Sequence, residues 1–185
     1  MNARASLRML GPAVLFAAAA SRASVHESLT PQELARRADD VAHVRVVSIR
    51  NEMGSLPGVE GVVPLRRLEL EVIDAWRGRC AAGDRVDVLV PGGTAPDGTS
   101  LMVSSSPSTD GLEGHEAVVF VRRDAYGSGR HGFEGGWLGL YRVDAPGRRR
   151  STTRVLRGQL GSPFPLDVPI ESARKVVLLV PTQQR

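Results

Sequence analysis

The stretch Leu65-Arg66-Arg67-Leu68-Glu69-Leu70-Glu71-Val72-Ile73-Asp74-Ala75-Trp76-Arg77-Gly78 constrains the fold more than any other part of the chain. Leu68, Leu70 and Val72 fall on one face of an extended backbone and Arg67, Glu69 and Glu71 on the other. That is the period of a strand with one dry side and one wet side. After Val72 the parity slips, because Ile73 and Ala75 now occupy wet positions. A slip of one residue turns the following side chains over, so a β-bulge is expected near Ile73-Asp74. Bulges are where small barrels bend. Trp76 is then expected to cover a barrel end, with Arg77-Gly78 as the turn out.

Similar signals recur along the chain. Thr30-Pro31-Gln32-Glu33 is a helix start, with Thr30 as N-cap, Pro31 at the first helical position and Glu33 closing a capping box. Val41–Ile49 reads as a largely buried strand and Asn51–Val59, with Gly54, Pro57 and Gly58, as a loop. Further strands are predicted at Arg85–Val90, Leu101–Val103, Ala117–Val121 and Trp137–Val143, with Thr152–Leu156 pairing back across the Arg148-Arg149-Arg150 turn. Ile170–Leu179 reads as a C-terminal helix, with Glu171 early and Lys175 late, or as a last strand, and the helix is favoured. Short strands ended by Gly, Pro or Asp, with helices only near the ends, predict a mainly β protein. The same pattern, a tally of about five to seven short strands, argues for a small all-β barrel or sandwich.

The first 23 residues read as a leader rather than as part of that domain. Arg4 and Arg8 form a basic start, Met9–Ala20 is an apolar run, and Ser21-Arg22-Ala23 supplies small residues at a cleavage site. The organisation expected is a signal peptide over 1–23, a flexible start over 24–29, one barrel domain over 30–180 and a tail over 181–185. The protein is accordingly expected to be secreted or periplasmic, with no transmembrane anchor. Removing the leader also removes Arg4, Arg8 and Arg22 and no acid, which takes the net charge from +4 close to neutrality. The high isoelectric point reflects arginine, since Lys175 is the only lysine, and no nucleic-acid partner is expected. Arg148–Arg150 sits in a turn context with no aromatic platform beside it. Cys80 is the single cysteine, so an internal disulfide is excluded and the apolar core must hold the domain together.

No motif specifies a reaction. His26, His43, His115 and His131 are not at metal-ligand spacing, and one cysteine cannot build a zinc site. His43 reads as a structural strand residue and His115 as part of a turn. Ser104-Ser105-Ser106 lacks the Gly-x-Ser-x-Gly elbow that exposes a nucleophile, so a flexible loop is the stronger reading. Pro91-Gly92-Gly93-Thr94 has no Gly-Lys-Ser/Thr continuation and reads as a turn. No cofactor is expected. One conditional metal set exists: cleavage after Ala23 would begin the chain Ser24-Val25-His26, whose amine, backbone nitrogens and imidazole suit Cu(II) or Ni(II), whereas cleavage after Ala20 destroys it.

Leu29–Leu34, Ala38-Asp39, Val44–Ser48, Leu68–Val72, Trp76-Arg77-Gly78, Gly83-Asp84, Pro91-Gly92-Gly93, Glu116–Arg122 and Gly139–Val143 occur in an order that resembles a group of secreted, mostly uncharacterised bacterial proteins. The same order is similar to the N-terminal, netrin-like OB-fold domain of the tissue inhibitors of metalloproteinases. The resemblance implies a five-stranded barrel, so the fold expected for this chain is a small OB-like β-barrel of roughly five to six strands with short helices near the N- and C-terminal ends. It also implies a protein-binding, inhibitor-like role with an extracellular protease as the partner. Those inhibitors use a cysteine at the mature N-terminus to chelate the protease zinc and staple the region with disulfides, whereas this chain carries Ser24 and a lone Cys80. What the resemblance carries over is position. It implies that Ser24 and His26 lie on the same side of the barrel as Thr94 and Pro96 in the Gly92–Gly98 loop, and that these residues make the binding surface. The functional expectation is a secreted, non-catalytic binding module. The alternatives are a small secreted serine hydrolase using Ser104–Ser106 with His115, or a structural module of the cell envelope.

Overall fold

The computed structural model of the protein describes residues 29–127, 129–144, 155–157, 164 and 168–181. Helix α1 (Pro31–Arg37) begins as its sequence dictates. The Thr30 hydroxyl accepts the Glu33 N–H, and the Glu33 carboxylate accepts the Thr30 N–H at 2.8 Å. Leu34 and Ala35 give it one buried stripe. The chain then runs through β1 (Asp40–Gly54), β2 (Val63–Arg77), β3 (Arg85–Pro91), β4 (Gly93–Thr94), β5 (Ser100–Leu101), β6 (Glu116–Arg122) and β7 (Gly132–Phe133). A 3-10 turn over Gly136–Gly139 leads into β8 (Leu140–Asp144), followed by β9 (Val155–Arg157), β10 (Val168–Pro169) and α2 (Ile170–Leu178). The architecture is mainly β, with the two helices at the ends of the described chain.

Strands β10-β9-β8-β6-β1-β2-β3 form one antiparallel sheet in that order, β7 pairs with β6 beside β8, and β4 and β5 form a separate hairpin. The sheet is buried on both faces. Ala42, Val44, Val46, Leu68, Leu70, Val72, Val88, Val90, Ala117, Val119 and Val121 pack together on one side. On the other, Val41, Trp76, Val118, Phe120, Tyr141 and Val143 pack under α1 and α2. The two-sided burial accounts for the unbroken apolar run Ala117–Val121, whose alternate residues feed different cores. Phe120 and Tyr141 meet edge to face at 5.8 Å, and Phe164 closes the cluster against Tyr141 at 5.2 Å.

The long strand behaves as its pattern demands. Leu68, Leu70 and Val72 are buried together in the first core. His43 faces Asp74 and Val44 faces Val72, which leaves Ile73 as the extra residue of a bulge at the expected place. A second irregularity skips Trp76, which turns into the helix-covered core while its Nε1 donates to Asp74 at 3.1 Å. A third leaves Val47 extra on β1.

Three elements differ from the sequence expectation. Strand β1 runs on to Gly54, so Asn51–Gly54 belongs to the ladder rather than to a loop; pairing with Val63–Arg66 overrides its polar composition. The expected strand at Leu101–Val103 shrinks to Ser100–Leu101, paired only with Gly93–Thr94. Trp137 lies in the 3-10 turn, and the strand starts at Leu140. Closure of the sheet is also less than a continuous ladder. Its hydrogen-bonded path is open between β3 and β10, and one parallel bridge, Val88 with His131, ties β3 to the segment entering β7. Positive φ at Gly127, Gly129, Gly135 and Gly136 explains why the strand there is only Gly132–Phe133, since left-handed backbone does not pair in a ladder.

Candidate binding surface

Two hairpins meet at one end of the sheet. Asn51 and Arg66 face each other across β1 and β2, and the β4–β5 hairpin packs over them: Gly92 donates its N–H to the Pro64 carbonyl at 3.0 Å, and the Thr94 N–H reaches Asn51 Oδ1 at 3.4 Å. A Cβ at Gly93 would sit 2.8 Å from Asn51 Oδ1, so only glycine lets the two hairpins approach this closely. The β4–β5 turn is tightened by Asp97, whose Oδ1 accepts the Thr99 N–H at 2.9 Å; that bond holds the exposed carboxyl below its usual range. Thr94 Oγ1 and Ser100 Oγ close the hairpin at 3.1 Å.

Thr94 and Pro96, both expected at the binding surface, are exposed on this hairpin. Ser24 and His26 lie outside the described residues, so whether they share its side and whether Ser24-Val25-His26 forms a metal set is not part of the described structure. Beside the hairpin lies a small cleft of about 140 Å³ bordered by Arg66, Gly92, Leu101, Met102, Ser106 and Asp110. Arg66 lines it, donating to Thr109 Oγ1 at 2.7 Å and pairing with Asp110 at 3.1 Å. Met102 stands on the rim with 94% of its surface exposed, and Val59 and Val62 are exposed on the β1–β2 turn. The resemblance singled out Thr94 and Pro96, which the structure places exposed on this hairpin, while Met102, Asn51 and Arg66 were not singled out. Met102 was counted as strand, and the contact between the hairpins is set by tertiary packing alone.

The serine and histidine of the hydrolase alternative are engaged elsewhere. Ser106 donates its hydroxyl to the Pro91 carbonyl at 2.7 Å, while His115 Nδ1 lies 3.4 Å from Arg142. Among the described residues no hydrogen bond joins Ser104, Ser105 or Ser106 to His115. His43 is a buried strand residue whose Nε2 lies 2.9 Å from the Glu116 carboxylate. Among the described residues no three His, Cys, Asp or Glu side chains gather as a metal site, and no helix there is long and apolar enough to cross a membrane.

At the opposite end of β1 a polar corner anchors the scaffold. Asp40 is buried and accepts from the Arg79 N–H at 2.7 Å, the Cys80 N–H at 3.2 Å and Arg123 Nε and Nη2 at 2.6 and 2.7 Å. Both oxygens of that carboxylate have donors, the condition under which a buried charge is tolerated. Gly78 turns the chain at φ +102 against Asp40, where any Cβ would collide. Cys80 sits in this corner, and burial together with the Asp40 carboxylate pushes its thiol up to about 11. Such a thiol stays protonated at neutral pH and is a poor nucleophile.

No protein-family model matches the chain, and no curated protein matches it. Fold and surface define the class so far: a mainly β scaffold, clamped at one end by a buried carboxylate and presenting two abutting hairpins at the other.

Proposed function

We propose that the protein is a non-catalytic binding module, exported from the cell, that grips another extracellular protein through the two abutting hairpins. The observation that carries the reading is Met102. Met102 is almost fully in water beside a cleft lined by Arg66 and Asp110, and exposed apolar surface gathered with Val59 and Val62 at one end of the molecule is what a protein partner would cover. Val59, Val62, Thr94 and Pro96 extend the same end with apolar and neutral polar surface, and Arg66 supplies a half-buried charge. A protease is the partner class that the resemblance to metalloproteinase inhibitors implies, although a zinc-chelating cysteine is absent from the chain.

The barrel belongs to the same proposal. What supports it is the neighbour order: β1 beside β2 and β6, β2 beside β3, β6 beside β7, and one parallel bridge from β3 to the residue before β7, the order in which an OB barrel would close. The bulge at Ile73 supplies a bend of the kind closure needs.

Capture from culture supernatant tests the function. Immobilised mature protein is expected to retain a defined extracellular protein, identified by mass spectrometry, and Met102→Glu or Val62→Glu is expected to release it while leaving the circular dichroism spectrum unchanged. Retention of nothing, or the same proteins on all three baits, would remove the reading and leave a structural envelope module.

A further inference from the structure

Strand β6 covers β1 only over Asp40–Arg45, and the last backbone bonds on that side join Val46 to Gly114 and His115. Beyond the bulge at Val47, β1 continues in unbroken register with β2 from Ser48 to Gly54. Among the described residues nothing pairs with the other side of that segment. The direction of its backbone groups follows from its neighbours. Pro64 directs its carbonyl away from β1, to the Gly92 N–H, and Leu89 directs its N–H away from β2, to His131. In an antiparallel ladder these groups alternate, so Ser48, Arg50, Glu52 and Gly54 bond to β2. Ile49, Asn51 and Met53 therefore turn both N–H and C=O outward.

An open edge of this kind is a template for another strand. The segment Ser48-Ile49-Arg50-Asn51-Glu52-Met53-Gly54 holds no proline, no lysine and no bulge, and its two charges, Arg50 and Glu52, are of opposite sign, so they can pair across a two-fold rather than repel. We propose that it pairs with the same segment of a second copy, antiparallel, about a two-fold axis through Asn51. In that register Asn51 faces Asn51, Ile49 faces Met53 of the second copy and Met53 faces its Ile49, each pair exchanging both N–H···O bonds.

Side-chain charge selects this register. Centring one residue earlier sets Arg50 against Arg50, and centring one residue later sets Glu52 against Glu52. The Asn51 axis alone sets Arg50 opposite Glu52 of the second copy, twice, on the wet face, with Ile49 and Met53 paired on the other. Arg50 is exposed, and Glu52, paired with its own Arg67 at 3.0 Å, is held in the strand's wet face. The segment is short, so a dimer dissociating in the micromolar range is expected.

Sedimentation of the purified protein over a concentration series tests this. The protein is expected to pass from monomer to dimer, and Arg50→Glu and Glu52→Arg are each expected to raise the dissociation constant about tenfold or more, because each sets like charges opposite one another. Mixed one to one, the two variants are expected to dimerise again. One variant then carries acids at both positions and the other carries arginines at both, so opposite charges meet at each of the two contacts. Circular dichroism keeps the comparison to folded protein. A monomer at every concentration overturns the proposal, as does a dimer indifferent to both charge changes, which would place another face at the interface. The partner-capture experiment reads the hairpin end and Met102, so either result stands without the other.

Discussion

At the scale of single residues, Asp40 and Cys80 show how context sets chemistry. Asp40 has a full set of donors and holds the β1, β2 and β6 ends together, and the thiol beside it is pushed up to about 11. For a thiol the protonated form is neutral, so a raised value in the folded protein means that the unfolded chain releases its proton first. Between about pH 8.5, the ordinary thiol value, and about 11 the unfolded state therefore binds fewer protons, and this group's contribution to stability falls as pH rises through that window. At pH 8 Cys80 is expected to react with iodoacetamide about tenfold or more slowly in the native protein than in urea, followed by mass spectrometry. Equal rates would show an open, ordinary thiol. Nothing about Cys80 in the sequence marks this; Asp40 lies far away in the chain and is brought to it by the β1–β2 ladder and the turn at Gly78.

At the scale of elements, agreement between local sequence and structure is closest where the signal is local. The capping box at Thr30 and Glu33 forms as read, because all of its partners lie within one turn. Thr30→Ala is expected to cost about 1 kcal/mol of stability in urea unfolding, with the m-value unchanged. The Ile73 bulge was legible for a related reason: alternation along one strand reports which face each residue takes, and a slip in it must be absorbed somewhere. The extension of β1 to Gly54 was not legible. Arg50, Asn51 and Glu52 look like loop residues, and they are strand because β2 pairs with them. The short β7 and the 3-10 turn before β8 escaped notice because glycine conformation cannot be read from an apolar pattern.

At the scale of the whole molecule, the sheet separates two apolar cores that share its strands. On β6, Val118 and Phe120 face the helices while Ala117, Val119 and Val121 face the other core. Neither core can loosen without disturbing a strand that serves both. Leu70→Ala in one and Phe120→Ala in the other are each expected to cost about 2–5 kcal/mol. Each is also expected to shift a single unfolding transition seen alike by tryptophan fluorescence and circular dichroism. Two separate transitions would mean that the cores unfold independently.

The sequence by itself determined the strand-rich class, the faces of β2, the bulge and the N-terminal helix, since each depends on neighbours within a few residues or on one strand's alternation. The C-terminal segment read as helix or strand, and packing against the sheet made it a helix. The sequence also marked Pro91-Gly92-Gly93-Thr94 as a turn, while Pro96 was singled out only by the position that the family resemblance implies. Only the tertiary structure decided that Met102 stands exposed beside a cleft lined by Arg66, that Asp40 gathers Arg79, Cys80 and Arg123, and that β1 outruns β6 to leave an open edge. Those are relations between residues far apart in the chain, and their energies come from pairing and packing that no short window of sequence contains.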